Sequence, residues 1–302
     1  MRRIWIITGV AAVAVAVTTG AAGASARTHP AGHGGAAGTL AGPAYTPAFG
    51  INNRGVIVGD YGLNGGPAEH GYVLRRGVFT TLNAPGSVGL THAYGINNAG
   101  DVVGEYADAR GKLHGYVRHD GRYTTLNAPG SRNETIASQI NSAGDIVGSY
   151  LDARDVSHGF LLHDGTYTTL NDPLATSGTF GSGINNAGDV VGAFIRHGHR
   201  YGFLLHDGVY TTLNVPDSTD TYAGGITTAG AIVGGYTDEA GHLHGYLLSH
   251  GRYQRVDDPR GTLGTRLHAI NASGDIVGAY TDRSGIHGFL LHDGRYTTIN
   301  VP

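Results

Sequence analysis

The sequence is poor in the residue types on which several classes of protein depend. It has no cysteine, one methionine and one tryptophan among 302 residues, and 14% of its residues are charged, compared with about 25% in an average globular domain. Without cysteine the chain can form no disulfide, no thiolate metal ligand and no thiol nucleophile. The 20 basic and 23 acidic residues nearly cancel and form no basic run. We therefore predict no nucleic-acid partner.

Glycine, by contrast, is abundant, with 52 residues. Glycine and proline together stay below the roughly 25–30% that is typical of disordered low-complexity chains. The sequence has no Gly-X-Y period, which excludes a collagen-like structure. We therefore expect the chain to fold.

The N-terminus has the three parts of a secretory signal peptide. Arg2 and Arg3 precede an apolar segment from Ile4 to Val17, and Ala24-Ser25-Ala26 supplies the small residues of a cleavage site. We predict a signal peptide over residues 1–26, cleaved after Ala26, and a secreted, extracellular protein. The alternative is an uncleaved membrane anchor, because the apolar segment approaches the ~20 residues that span a bilayer.

The segment after the signal peptide, residues 27–44, is rich in glycine and alanine and is predicted to be a flexible linker. No second long apolar run follows it. We therefore expect no membrane contact once the signal peptide is removed, and we expect a monomer. The remaining residues, 45–302, are predicted to form one domain.

This domain consists of six copies of one unit, and internal repetition predicts a fold more strongly than any single motif. Ile-Asn, or Ile-Thr in the fifth copy, recurs every 42–45 residues, at Ile51, Ile96, Ile140, Ile184, Ile226 and Ile270. His-Gly before Tyr or Phe recurs at His70, His114, His158, His244 and His287, with Tyr201 in the remaining copy. A third motif, Gly-x-Tyr-Thr-Thr-Leu-Asn-x-Pro, is seen at residues 121–129 and 165–173.

Each copy is predicted to form four short strands. In the third copy, β-branched and aromatic segments are separated by turn sequences at residues 141–144 and 164–165, which are typical of β-hairpins. Four strands in about 44 residues match one propeller blade. We predict an all-β, six-bladed β-propeller of four-stranded antiparallel blades, in preference to an open solenoid or a pair of β-sandwiches. The ring could close through a blade that mixes both chain ends, or by packing alone.

The repeat resembles the HAF-type extracellular repeat of secreted bacterial proteins. The resemblance rests on His-Gly-Phe-Leu-Leu-x-Asp-Gly-x-Tyr-Thr-Thr-Leu followed by Ile-Asn-Asn-Ala-Gly-Asp-Val-Val-Gly, and it covers about residues 44–302. The family pattern has Ala after the His and a Trp where this chain has Leu162, Leu205 or Leu291. The resemblance implies an extracellular location and no known activity, so it supplies no catalytic residues.

The 17 histidines suggest metal binding, but their positions argue against it. In a six-fold ring, equivalent strands would be about 15 Å apart, whereas zinc needs ligands within about 2.1 Å. We predict that the repeated histidine is structural, with a ring nitrogen bonded to backbone or to the next blade. A second set beside the Asp-Gly turns is predicted to be solvated: His119, His163, His206 and His292. We predict no metal site and no cofactor.

The sequence contains no catalytic motif that we recognise. Gly-x-Ser-x-Gly, His-Glu-x-x-His and a phosphate-binding loop are all absent. The carboxylates that depart from the repeat are Asp257, Asp258, Asp217 and Asp220. We assign no catalytic residue, and we keep as an alternative an enzyme that cleaves a glycan with carboxylates on the variable loop face.

The best candidate site is where the copies differ, because identical residues serve the shared fold. The loops between strands two and three, and between one copy and the next, vary and lie at one end of the blades. Near them a constant Thr, as at Thr135, is followed by variable residues that would line the channel mouth. The predicted ligand-binding residues are His92, Tyr94, Phe180, Tyr222, Arg266 and His268.

These residue types suit a sugar, a peptide or a small anion, although packing inside the channel would use them equally well. We predict a non-catalytic binding or interaction module. Its expected partner is an extracellular polysaccharide or a secreted or cell-surface protein.

Overall fold

A computed structural model describes residues 45–62 and 68–301, together with Trp5–Ile6 and Val15–Ala16. The predicted linker and most of the predicted signal peptide lie outside these residues. The described residues contain strands and turns and no helix, and hence no helix that could cross a membrane.

The strands comprise an N-terminal pair and sets of four or five consecutive strands, one set for each sequence copy, and each set is called a blade below. The pair is β1 (Trp5–Ile6) and β2 (Val15–Ala16). Blade 1 contains β3 (Tyr45–Thr46), β4 (Ala48–Ile51), β5 (Ile57–Gly62), β6 (Glu69–Arg75) and β7 (Val78–Leu82). Blade 2 contains β8 (Thr91–Ile96), β9 (Val102–Ala107), β10 (Leu113–His119) and β11 (Arg122–Leu126). Blade 3 contains β12 (Thr135–Ile140), β13 (Ile146–Leu151), β14 (Ser157–His163) and β15 (Thr166–Leu170).

The second half repeats this arrangement. Blade 4 contains β16 (Gly178–Ile184), β17 (Val190–Arg196), β18 (His199–His206) and β19 (Val209–Leu213). Blade 5 contains β20 (Ser218–Ile226), β21 (Ile232–Asp238), β22 (Leu243–Ser249) and β23 (Arg252–Arg255). Blade 6 contains β24 (Gly264–Ile270), β25 (Ile276–Asp282), β26 (Gly285–His292) and β27 (Arg295–Ile299).

Each blade is an antiparallel sheet whose strands pair in chain order, with β3 and β4 together forming the first strand of blade 1. The first strands of neighbouring blades contact one another around a ring, and β24 of blade 6 contacts β4 of blade 1. This arrangement confirms the predicted all-β propeller fold. Each blade is one sequence copy, so no blade mixes the two ends of the chain.

The hydrophobic core lies between the blades. The second strand of every blade carries a fully buried valine, as in Val103 of blade 2, which packs on Ala137, Ile146 and Phe160 of blade 3. At the seam, Val277 of blade 6 packs in the same way against residues of blade 1. Because each blade buries one face against the next, the ring closes by continuing the same packing.

A glycine in the second strand allows the first strand to bulge. In blade 3 the register of β12 shifts between Ala137 and Gln139, and a Cβ at Gly148 would lie 1.9 Å from the Ile136 carbonyl oxygen. Equivalent glycines in the other five blades would place a Cβ 1.9–2.2 Å from the corresponding carbonyl. Only glycine fits this close approach.

The anchor asparagines link the blades at the end that carries the constant turns. In blade 3, Asn141 Oδ1 accepts hydrogen bonds from the backbone of Ala143 and Asp145 and so closes its own turn. Its Nδ2 donates to the Asn185 carbonyl of blade 4 at 3.2 Å. At the seam, Asn271 of blade 6 donates in the same way to Asn52 of blade 1. One repeated side chain therefore both shapes the turn and joins neighbouring blades.

The repeated histidines bond to side chains of their own blade, so their partners differ from the prediction. Nδ1 of His70, His114 and His158 lies 2.7–2.8 Å from an Asn side chain at the end of the fourth strand of the same blade. These partners are side chains within the blade because the third and fourth strands pair directly, which brings the ring and the amide together. The expected bonds to backbone or to the next blade are not the ones formed.

The second histidine set is exposed, in agreement with the prediction, and each member also bonds to a carboxylate. His119, His163, His206 and His292 each lie 2.5–2.6 Å from an Asp carboxylate that follows the anchor turn. This hydrogen bond raises the pKa of each histidine. These hydrogen bonds thus link the two constant turns within blades 2, 3, 4 and 6.

Candidate functional site

All six predicted ligand-binding residues lie in first strands, at the end of the ring that carries the variable loops, but they do not form one site. Tyr94 is 4% exposed and packs with Phe49 and Ile136 in a buried cluster. The His268 ring stacks on Phe49 at 4.8 Å, and its Nδ1 donates to the Ala48 carbonyl.

Phe180 is likewise 5% exposed. Tyr94, Phe180 and His268 therefore fill the interior of the ring, which corrects their assignment as ligand contacts. Their inward position gives a physical reason, since β8 and β16 are buried along their whole length and β24 is buried from residue 267 to residue 269.

The interface of blades 1 and 2 holds a buried acidic cluster, which we define as Asp60, Glu69, His92 and Glu105. His92 Nε2 lies 3.1 Å from Asp60 Oδ2 and 2.5 Å from Glu69 Oε2. Its Nδ1 lies 2.7 Å from Tyr94 Oη and 3.2 Å from Glu105 Oε1. Tyr94 Oη in turn donates to Glu105 Oε1 at 2.7 Å. Three carboxylates therefore surround one imidazole.

The charges of this cluster are strongly coupled. Burial raises the pKa of Asp60 to about 7, although His92 opposes the shift. Burial alone would lower the pKa of His92, but Asp60, Glu105 and Glu69 raise it well above its ordinary value. Neither Asp60 oxygen, nor Oε2 of Glu105, has a hydrogen-bond partner. The cluster thus holds more negative charge than its single imidazole can balance.

A cavity of about 520 Å³ opens at the same end of the ring, between blades 4, 5 and 6. Arg200 enters it from the start of β18, Tyr222 from β20 and Arg266 from β24. Its remaining lining includes Asp220 and Tyr236, with Ser177, Ile195, Gly198, Gly235, Thr237 and Leu243. Two of the predicted ligand-binding residues, Tyr222 and Arg266, therefore line an open cavity.

The polar groups of the cavity are incompletely paired. Neither the Arg200 nor the Arg266 guanidinium forms an ion pair with a described residue, and the buried Tyr222 hydroxyl has no hydrogen-bond partner. Burial lowers the pKa of Arg200, an effect that Asp220 opposes. Burial raises the pKa of Tyr222 to about 12 against the influence of both arginines. These features suit an anionic group that accepts hydrogen bonds from the two guanidinium groups.

The cavity and the acidic cluster occupy equivalent interfaces three copies apart. Arg200 stands where blade 1 has Glu69, and Tyr222 stands where blade 2 has His92. Gly235 replaces the carboxylate that Glu105 supplies in blade 2, and a Cβ there would lie 2.6 Å from the Tyr222 ring. A separation of three copies out of six corresponds to half of the ring. The two sites therefore face each other across the mouth with opposite charge.

Sequence reasoning missed Arg200, Asp60, Glu69 and Glu105. Arg200 lies near the start of β18, directly after the two-residue loop 197–198. A comparison of copies would have found all of them, because the other blades carry small or apolar residues at most of these positions.

The carboxylates considered for catalysis mostly have structural partners. Asp258 is buried and forms an ion pair with Arg260 at 2.6 Å. Asp257 accepts hydrogen bonds from the Gly245 backbone and from Arg255. Asp220 lines the cavity and accepts a hydrogen bond from the Arg200 backbone.

Comparison with solved structures shows a shared fold. AofleA from Arthrobotrys oligospora has a TM-score of 0.58 and 12% identity, covering 86% of this chain and 88% of its own. A mutant of the Aleuria aurantia lectin in complex with alpha-methyl-L-fucoside has a TM-score of 0.55 and 11% identity, covering 87% and 97%. A streptogramin B lyase has a TM-score of 0.52 and 11% identity, covering 87% and 85%. No protein family and no curated protein matches the sequence.

Proposed function

We propose that this chain is a secreted, non-catalytic binding module that holds an anionic extracellular saccharide in the cavity between blades 4, 5 and 6. The observation that carries the proposal is the pair of unpaired guanidinium groups, Arg200 and Arg266, beside the unpartnered Tyr222 hydroxyl. The resemblance to HAF-type extracellular repeats and the signal-peptide pattern support secretion.

The chemistry of the cavity favours a saccharide that carries a carboxylate or a similar anion. A guanidinium can donate two parallel hydrogen bonds to a carboxylate. The faces of Tyr222 and Tyr236 offer apolar surface for a sugar ring. Asp220 accepts hydrogen bonds, which suits sugar hydroxyls. The volume of about 520 Å³ lies within the range of small-molecule pockets.

The structural comparison supports a saccharide ligand. The similar Aleuria aurantia protein is a lectin whose structure holds a fucoside, so a fold of this kind serves saccharide binding in that protein. The cavity of this chain differs by its two arginines, which is why we propose an anionic sugar.

Binding to an array of neutral and anionic oligosaccharides tests the proposal, with affinities of the hits measured by calorimetry. We expect anionic sugars to be retained and Arg266→Gln to weaken binding at least tenfold, which corresponds to about 1.4 kcal/mol. Arg122→Gln removes the same charge from an exposed strand end at the opposite side of the ring and is the matched control. Equal loss in both variants, or equal binding of neutral sugars, would contradict the proposal.

A turnover assay on the same saccharides separates binding from cleavage. We expect the bound saccharide to be recovered intact after prolonged incubation. Cleavage products that are lost in Glu69→Gln would instead favour the alternative, a glycan-cleaving enzyme with carboxylates at the variable end.

A further inference from the structure

We propose that Asp60, Glu69 and His92 bind a divalent transition-metal cation at the interface of blades 1 and 2. One ligand atom from each residue is available, and these atoms all lie within 4.8 Å of one another. They come from β5, β6 and β8, so the blade interface itself brings them together.

The first argument is the excess of buried negative charge. Asp60 is fully buried, and neither of its carboxylate oxygens has a hydrogen-bond partner. Its Oδ2 points at the same nitrogen, His92 Nε2, that Glu69 approaches. A buried carboxylate without a hydrogen-bond partner, as in Asp60, is strongly unfavourable. A dication held between Asp60 and Glu69 would compensate this buried charge.

The second argument is the orientation of the imidazole. Metal-binding histidines usually use one ring nitrogen for the metal and hydrogen-bond through the other to a carboxylate. His92 has this arrangement, because Nδ1 faces Glu105 Oε1 and the Tyr94 hydroxyl. That leaves Nε2 directed at Asp60 and Glu69. Glu105 and Tyr94 would thus fix the ring without touching the metal.

The third argument is that the scaffold does not need these residues. At the positions of Asp60 and Glu105 the other blades have Ser149, Ala193, Gly235 and Ala279. At the position of Glu69 they have Leu113, Ser157, Arg200, Leu243 and Ile286. The blades fold with either set, so the carboxylates serve something other than the repeat.

The donor set selects the class of metal. Calcium and magnesium favour oxygen ligands alone, whereas an imidazole nitrogen with two carboxylates suits zinc or manganese. Three protein ligands are one fewer than zinc's usual four. A water molecule or a ligand group would therefore complete the coordination shell.

Calorimetry with ZnCl₂ and with MnCl₂, on full-length protein first dialysed against a chelator, tests the proposal. We expect one tight site and at least a tenfold loss of affinity in Glu69→Gln and in Asp60→Asn. Co²⁺ provides a second readout, since its visible absorption reports coordination by nitrogen and oxygen. A second group, Asp238, His242 and His244, could also hold a metal. His242→Gln removes an exposed member of that group and is the control variant.

The outcomes separate clearly. The proposal is overturned if the wild type binds neither metal, or if Glu69→Gln and Asp60→Asn bind the metal as tightly as the wild type. It is also overturned if only His242→Gln loses the tight site. Thermal unfolding without metal shows whether Asp60→Asn still folds. If Asp60→Asn does not fold, Glu69→Gln still tests the proposal, because Glu69 is partly exposed. No saccharide is present, so the result is independent of the proposed function.

Discussion

At the residue scale, identical positions in the repeat take on different roles once the ring is assembled. Tyr222 and Arg266, two of the predicted ligand-binding residues, line the cavity. Phe180 occupies the same repeat position as Tyr222 and Arg266, and Tyr94 lies two residues beyond that position in blade 2, but both are buried. Sequence alone could not separate the two outcomes, because each depends on the size of neighbours from other blades, such as Phe49 beside Tyr94.

His268 predicts an acid-sensitive contribution to stability. Burial lowers its pKa from 6.5 to about 4. Between these values the unfolded chain binds a proton that the folded chain does not, so the free energy of unfolding falls as the pH decreases from about 6.5 to about 4. The loss approaches about 3 kcal/mol. Urea unfolding at pH 7 and pH 4.5 should show a smaller pH dependence in His268→Phe than in the wild type.

The matched control for this prediction is His199→Phe, since His199 is exposed and should leave the pH dependence unchanged. Other groups titrate in the same range, so the difference between the wild type and each variant is the quantity to compare. An identical pH dependence in wild type and His268→Phe would refute the assignment.

At the element scale, the four strands of a blade could be predicted almost completely. The strands end at the Asn-x-x-Gly and Asp-Gly turns or at their equivalents, which are Arg76-Gly77 in blade 1 and Thr227 to Gly230 and His250-Gly251 in blade 5. The loop between β17 and β18 has two residues, as does the loop between β25 and β26, whereas blades 2, 3 and 5 have longer ones. A role for the constant threonines of the first strands was not predicted.

These threonines connect each first strand to the loop that enters it. The hydroxyl of Thr91, Thr135, Thr179, Thr221 and Thr265 accepts a hydrogen bond of 3.0–3.2 Å from a backbone N–H six or seven residues earlier. Thr46 is equally buried, but its hydroxyl has no partner. We expect Thr135→Val to destabilise the protein by about 1–3 kcal/mol, because it leaves the buried Ala128 N–H unpaired.

Thr46→Val is the control, since it makes the same change of shape without breaking a hydrogen bond. Chemical denaturation of both variants should therefore show a clear loss only for Thr135→Val. Equal losses would mean that packing of the hydroxyl, and not its hydrogen bond, matters.

At the scale of the whole molecule, the sequence predicted a ring but not how it closes. Closure depends on contacts between residues about 220 positions apart, such as Asn271 Nδ2 with the Asn52 carbonyl and His268 with Ala48. The parallel pairing of β26 with β3 adds to this seam. The seam therefore combines side-chain packing with the hydrogen bonds that also link the other blades. The HAF-type resemblance stays a prediction.

The anchor asparagines form a hydrogen bond from each blade to the next except at blade 5, and adding the missing bond should stabilise the ring. Five side-chain amides donate to the next blade, from Asn52, Asn97, Asn141, Asn185 and Asn271. Blade 5 has Thr227, whose hydroxyl accepts a hydrogen bond from its own turn, at Ala231 N. Thr227→Asn should keep that turn bond and add a donor toward blade 6, raising the free energy of unfolding by about 0.5–1.5 kcal/mol. The reverse change, Asn141→Thr, should lower it by a similar amount. Differential scanning calorimetry measures both changes. If Asn141→Thr loses stability but Thr227→Asn gains none, packing already compensates for the missing hydrogen bond at blade 5.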